Sequence, residues 1–104
     1  MSSFRAPQSA FLKRLGVETG EAVLNYEVIA EQAASLGRMG RKAEAALAAL
    51  KAHEGEGRAE VLKAAADAVW CFLVQREVMG LRDRAQMVVQ YEIPREVMVR
   101  LGAR

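Results

Sequence analysis

The chain is short of the residues that most often carry chemistry: it has one cysteine, one histidine and two prolines in 104 residues. Cys71 has no second cysteine to join, so no intramolecular disulfide forms and a reducing compartment is expected. Cys71 and the single histidine, His53, cannot assemble a zinc cluster within one chain. The sequence offers no serine–histidine–aspartate set, no phosphate-cradling glycine loop and no pair of carboxylates in an apolar pocket. Glu54 and Glu56 are neighbours only within a turn. The expectation is a protein that is not an enzyme, with no catalytic, cofactor-binding or metal-binding residues. No apolar stretch approaches the ~20 residues of a membrane span, and the N-terminus lacks the apolar segment of a secretory signal. The opening MSSFRAPQSAFLKRLGV is basic, contains serine and lacks acids, a pattern shared with mitochondrial transit peptides. A loose N-terminus leading into a short helix is the preferred reading.

Net charge is scarce too. Residues 1–52 carry seven Lys/Arg against five Asp/Glu, and residues 53–104 carry eight of each, for a formal +2. That balance is too even to imply nucleic acid or an anionic membrane as partner.

What is present is helix-forming material. Hydrophobic residues make up 52% and charged residues 27% of the chain, which excludes disorder and allows one packed domain. Ala, Leu, Glu, Arg and Lys dominate, and no proline lies between Pro7 and Pro94. Residues 1–19 are expected as a flexible N-terminus and residues 20–104 as a single helical domain. Within the N-terminus, QSAFLKRLG can form a short helix with Phe11, Leu12 and Leu15 on one side and Gly16 as its stop. Thr19 is placed to cap a first long helix, which has Glu18 and Glu21 near its N-terminus.

From about Gly20 to His53 one helical stripe runs without a change of phase: Ala22, Ile29, Leu36, Met39, Ala43, Leu47 and Leu50. It passes through Gly37 and Gly40, so one long helix is expected, kinked at most at the glycines. Such a helix is ~50 Å long at ~1.5 Å per residue. A compact domain of this size is only ~35 Å across. The mismatch favours a homodimer. HEGEG, with Gly55 and Gly57, is the clearest turn. A second long helix follows from about Arg58 to Met79. Its first half is amphipathic, with Glu60, Lys63 and Asp67 opposite Leu62, Ala65, Ala66 and Val69, and it turns apolar all round at Val69–Val74 as it enters a core. Gly80 ends it, Asp83 and Gln86 suggest a capping box for a helix over Arg84–Gln90, and Pro94 opens a last short helix that Gly102 closes. The expected fold is all-α: two long antiparallel helices plus two short C-terminal ones, a bundle completed by dimerisation.

Four features could carry function. A reactive cysteine needs an electropositive, partly exposed setting. Cys71 has Asp67 one turn earlier and Trp70 and Phe72 beside it, so it is expected as a buried small hydrophobe. Arg76, Glu77, Arg82 and Asp83, with Gln75, could bind an anion, but an ion-pair and capping clasp between helices is the simpler reading, with Arg76 partly buried and therefore paired. Gly37 and Gly40, flanked by Leu36 and Met39, permit close helix approach and so mark a face for self-association. The neighbouring Arg38, Arg41 and Lys42 form a small basic spot. The C-terminal pair of short helices has the outline of a helix-turn-helix with Arg95 and Arg100 on its second helix. Its turn lacks glycine, and Val97, Met98, Val99 and Leu101 leave few positions to read bases. Packing against Trp70–Val74 suits these helices better.

AEQAASLGRMGRKAEAALAAL, WCFLVQREVMGLRD and YEIPREVMVRLG together resemble a small bacterial protein family of about this length with no assigned function. The resemblance covers Glu21–Gly102 and implies an all-helical cytoplasmic bacterial protein. It carries over no catalytic residues. The function expected is a self-associating interaction or scaffold module with a protein partner and no membrane. The alternative is a nucleic-acid-binding regulator using Arg38, Arg41, Lys42, Arg95 and Arg100.

Overall fold

The computed structural model describes residues 19–101. It is all-α among these residues: α1 spans Thr19–Ala52, α2 Arg58–Val78, α3 Arg84–Gln90 and α4 Arg95–Arg100. The short helix expected around Phe11–Leu15 and the stop at Gly102 lie outside the described residues. The chain forms two compact units, which divide between Ala34 and Ser35, inside α1.

In the first unit residues 19–34 are helical throughout. Ala22 is buried, and every residue from Val23 to Ala34 is exposed. Ile29 was expected on the buried stripe and is 59% exposed instead. Its spacing fits the stripe, but the apolar core draws on α1 only from Leu36 onward.

In the second unit α1 turns Ala43, Leu47 and Leu50 into the core at steps of four and three, with Leu36, Met39 and Ala46 packed at its edge. Gly55 and Gly57 in the following turn have φ of 83° and 85°, and His53 Nε2 lies 2.8 Å from the Glu56 carbonyl oxygen. The chain then doubles back as α2. Gly40 of α1 lies against Phe72 of α2 on the far side of that turn from both helices' joined ends, so the two run antiparallel. From α2 the core takes Ala65, Ala66, Ala68, Val69, Phe72 and Leu73. Burying each large apolar side chain contributes about 1.5–3 kcal/mol. Cys71, expected inside, is exposed. It follows Lys63 and Asp67 at steps of four, so it continues the polar face those residues define, and the neighbouring apolar residues Phe72 and Leu73 take the core side.

Helix α2 ends in a Schellman motif. The Leu81 amide donates to the Arg76 carbonyl (2.8 Å) and the Gly80 amide to that of Glu77 (3.0 Å), with Gly80 at φ 85°. Asp83 sits at the N-cap of α3 but makes no side-chain cap bond, so the expected capping box with Gln86 does not form. Its carboxylate is taken by Arg76, and a charge-assisted two-point pair outcompetes a cap on neutral amides. Pro94 stands at the N-cap of α4, one position before the helix it was expected to begin, because its ψ of 151° is extended. Between α3 and α4 the chain forms a second Schellman motif: the Ile93 amide donates to the Val88 carbonyl (3.0 Å) and the Glu92 amide to that of Val89 (3.2 Å). Here the left-handed position, φ 50°, is held by Glu92. Ile93, Met87 and Val97 complete the core, and α4 packs on α2.

Candidate functional site

The charged residues around the end of α2 come together as two ion pairs. Arg76 donates to both carboxylate oxygens of Asp83, Nε to Oδ1 at 3.2 Å and Nη2 to Oδ2 at 2.6 Å. The Arg76 side chain is 16% exposed, and its guanidinium carbon lies 5.6 Å from the centroid of the Phe72 ring. That stacking covers one face of the cation while Asp83 takes its edge. The hydrogen bonds from Arg76 hold the Asp83 carboxyl below its ordinary range, against the opposing effect of burial. Glu77 pairs with Arg84, at 2.9 Å from Nη2, and Arg82 is exposed. Arg84 is the member of this cluster that the sequence reading missed. Its seven-residue spacing from Glu77 repeats that of Arg76 and Asp83, and that regularity was the available signal.

The two glycines of α1 have different surroundings. A Cβ on Gly40 would lie 3.1 Å from Phe72 Cε1 and 3.3 Å from Tyr91 Oη. The close approach it permits is to its own chain, where the Phe72 and Tyr91 rings pack with centroids 5.2 Å apart at 51°. A Cβ on Gly37 would meet only the end of the Arg41 side chain, at 3.5 Å. Leu36 and Met39 pack half-buried against the core, and Arg38, Arg41 and Lys42 are exposed. On the C-terminal helices Arg95 and Arg100 are exposed and Val97 is fully buried. At six residues α4 is about 9 Å long, little more than one turn and a half to lay in a groove.

A cleft of about 950 Å³ opens beside the turn after α1, bounded by Glu44, Lys51, His53, Tyr91 and the Arg58–Glu96 pair. Arg58 donates to Glu96 through both terminal nitrogens, at 2.8 and 2.6 Å. These hydrogen bonds raise the Arg58 pKa and lower that of Glu96. Glu44, Glu92 and Glu96 stand against Lys51 and Arg58 in its lining, so neither sign dominates strongly. Among the described residues no three His, Cys, Asp or Glu side chains are grouped to hold a metal, and every buried side-chain nitrogen or oxygen has a hydrogen-bond partner. No helix among them is long and apolar enough to cross a membrane.

In the second unit Val78, Val89 and Val99 are exposed singly, by 69%, 78% and 70%, whereas the first unit exposes large apolar residues in a run. Val23, Leu24, Tyr26, Val28 and Ile29 are between 48% and 63% exposed and point to different sides of α1.

A long helical hairpin closed by two short C-terminal helices defines this as a small all-α protein. The chain belongs to a family described as a family of unknown function (DUF6665), whose model matches residues 7–104. No curated protein and no solved structure matches it.

Proposed function

We propose that the protein is a non-enzymatic interaction module of the cytoplasm that works by associating with a second copy of itself. The observation that carries this reading is the exposed segment Val23–Ile29. A helix apolar on all sides is normally buried on all sides, so large apolar side chains left in water around one helix mark a surface that a partner covers. Five such side chains within seven residues of one helix, each about half exposed, is that pattern. The charged groups that could have served a substrate are engaged with one another instead, Arg76 with Asp83, Glu77 with Arg84 and Arg58 with Glu96. A single free, exposed cysteine suits a reducing compartment. Sedimentation velocity of the full chain at micromolar concentrations tests the proposal. A dimer that dissociates on dilution is expected, and Leu24→Lys with Val28→Lys should shift it to monomer without loss of helix. A monomer at every concentration overturns it. Binding to nucleic acid that falls steeply with salt would move the function to the other class.

A further inference from the structure

We infer that residues 8–15 form a helix that folds back antiparallel on the start of α1 and covers Ala22, which makes the first unit a helical hairpin. Ala22 is 3% exposed, whereas Tyr26 and Ile29, on the same side of α1 at steps of four and three, are 57% and 59% exposed. One exposed turn of helix does not close an alanine methyl from water on every side, so a further stretch of chain lies over Ala22. That stretch belongs to the same chain, and the apolar core, which draws on α1 only from Leu36 onward, does not include Ala22. The first unit consists of Met1–Ala34. Residues 19–34 are the helix itself, which leaves residues 1–18 as the cover.

The sequence of that segment suits the task. Phe11, Leu12 and Leu15 fall on one side of a helix over residues 8–15, Pro7 stands where a helix can begin and Gly16 where one can end. Residues 16–18 then lead to Thr19, a connection within the about two to five residues that join antiparallel helices. A helix over residues 8–15 extends about 12 Å, enough to run from Ala22 to Ile29. In that register Leu15 lies on Ala22, a large residue on a small one, and Phe11 lies beside Tyr26. The charges agree. Residues 1–17 contain Arg5, Lys13 and Arg14 and no acid, whereas residues 20–34 contain Glu21, Glu27 and Glu31 and no lysine or arginine. The hairpin takes one side of α1 only. Leu24 and Val28 lie on the opposite side, 63% and 52% exposed, and stay open to the second copy proposed above, so the hairpin stands whether or not that copy binds.

Disulfide trapping in the full chain tests the hairpin. In a Cys71→Ser background, Leu15→Cys is combined with Ala22→Cys, on the covered side of α1, and separately with Leu24→Cys, on the opposite side. After oxidation the hairpin predicts about tenfold more intrachain disulfide in the first pair, because only there are the two thiols held at high effective concentration. Trypsin gives a second reading that needs no cysteine. Ala22→Asp puts a charge under Leu15 and should speed cleavage after Lys13 and Arg14 about tenfold, and Leu24→Asp should leave that rate near the wild type's. Equal linking in the two pairs, or a cleavage rate that Ala22→Asp leaves unchanged, overturns the hairpin. Covalent dimers in place of intrachain bridges show that the segment crosses to a second copy, which overturns it too. Sedimentation of the same samples reads self-association separately: a monomer in which the first pair links removes self-association and keeps the hairpin, and a dimer in which neither pair links does the reverse.

Discussion

Residues 22–30, AVLNYEVIA, carry seven apolar side chains in nine positions, and residues 43–50, AEAALAAL, carry seven in eight. Both lie on α1, yet the first stretch buries only Ala22 while the second buries Ala43, Leu47 and Leu50. The amount of apolar surface does not separate them. Its distribution does. In 43–50 the two leucines fall on one side and alanine fills the rest, so one neighbouring helix satisfies the stretch. In 22–30 valine, leucine, tyrosine and isoleucine are spread round the helix, so a single neighbour would leave most of them in water.

The sharpest way to break this comparison is to delete one large side chain from each environment. Phe72→Ala removes a ring that touches Gly40, Tyr91 and Arg76, and should cost about 3–5 kcal/mol in denaturant unfolding. Ile29→Ala removes an exposed side chain and should leave monomer stability within about 0.5 kcal/mol. An equal loss at both sites would mean that residues 22–30 are buried within the monomer. The glycines give the next contrast. Gly40→Leu should destabilise by about 1–3 kcal/mol, because the Phe72 ring and the Tyr91 hydroxyl occupy the space it needs. Gly37→Ala meets only a movable arginine and should stabilise by about 0.5–1 kcal/mol through helix propensity.

The two Schellman turns sharpen the comparison within the second unit. Gly80 holds its left-handed φ without strain, whereas Glu92 holds φ 50° against its own Cβ. Glu92→Gly should raise stability by about 1 kcal/mol, and Gly80→Ala should lower it by about as much, both read from thermal unfolding. The smallest effect is electrostatic. Arg76 and Arg58 lower the folded-state pKa of Asp83 and Glu96 respectively. A carboxylate with a depressed folded pKa contributes stability that is fully present above its unfolded value of about 4 and is lost as pH falls through the folded value. The wild type should therefore lose denaturant midpoint below about pH 4, and the Asp83→Asn, Glu96→Gln double variant should show a shallower slope there.

Much of this architecture is legible in the sequence. The unbroken phase from Ala22 to Leu50 gave one long helix through Gly37 and Gly40, and Gly80 marked the end of α2 because a helix C-terminus needs a residue tolerant of positive φ. Glu92 does the same job without any such mark, since the strain at a non-glycine residue is accepted only where packing of Ile93 and Val97 imposes it. Cys71 is exposed although Val69–Val74 is apolar throughout, because each residue of a helix faces its own direction and an average over six residues hides that. Asp83 had the identity of a cap and the neighbourhood of a salt bridge, and only the approach of Arg76 decided between them.

The order of apolar, small and charged residues along the chain by itself determined the four helices of the described residues, their turns and the stripe that α1 turns to the core from Leu36 onward, because those depend on spacing and on local backbone preference. Tertiary structure decided which polar group pairs with which, which glycine is crowded and which half of α1 is covered. Those outcomes depend on residues far apart in sequence arriving at one place, as Gly40, Phe72 and Tyr91 do, and no local pattern records that meeting.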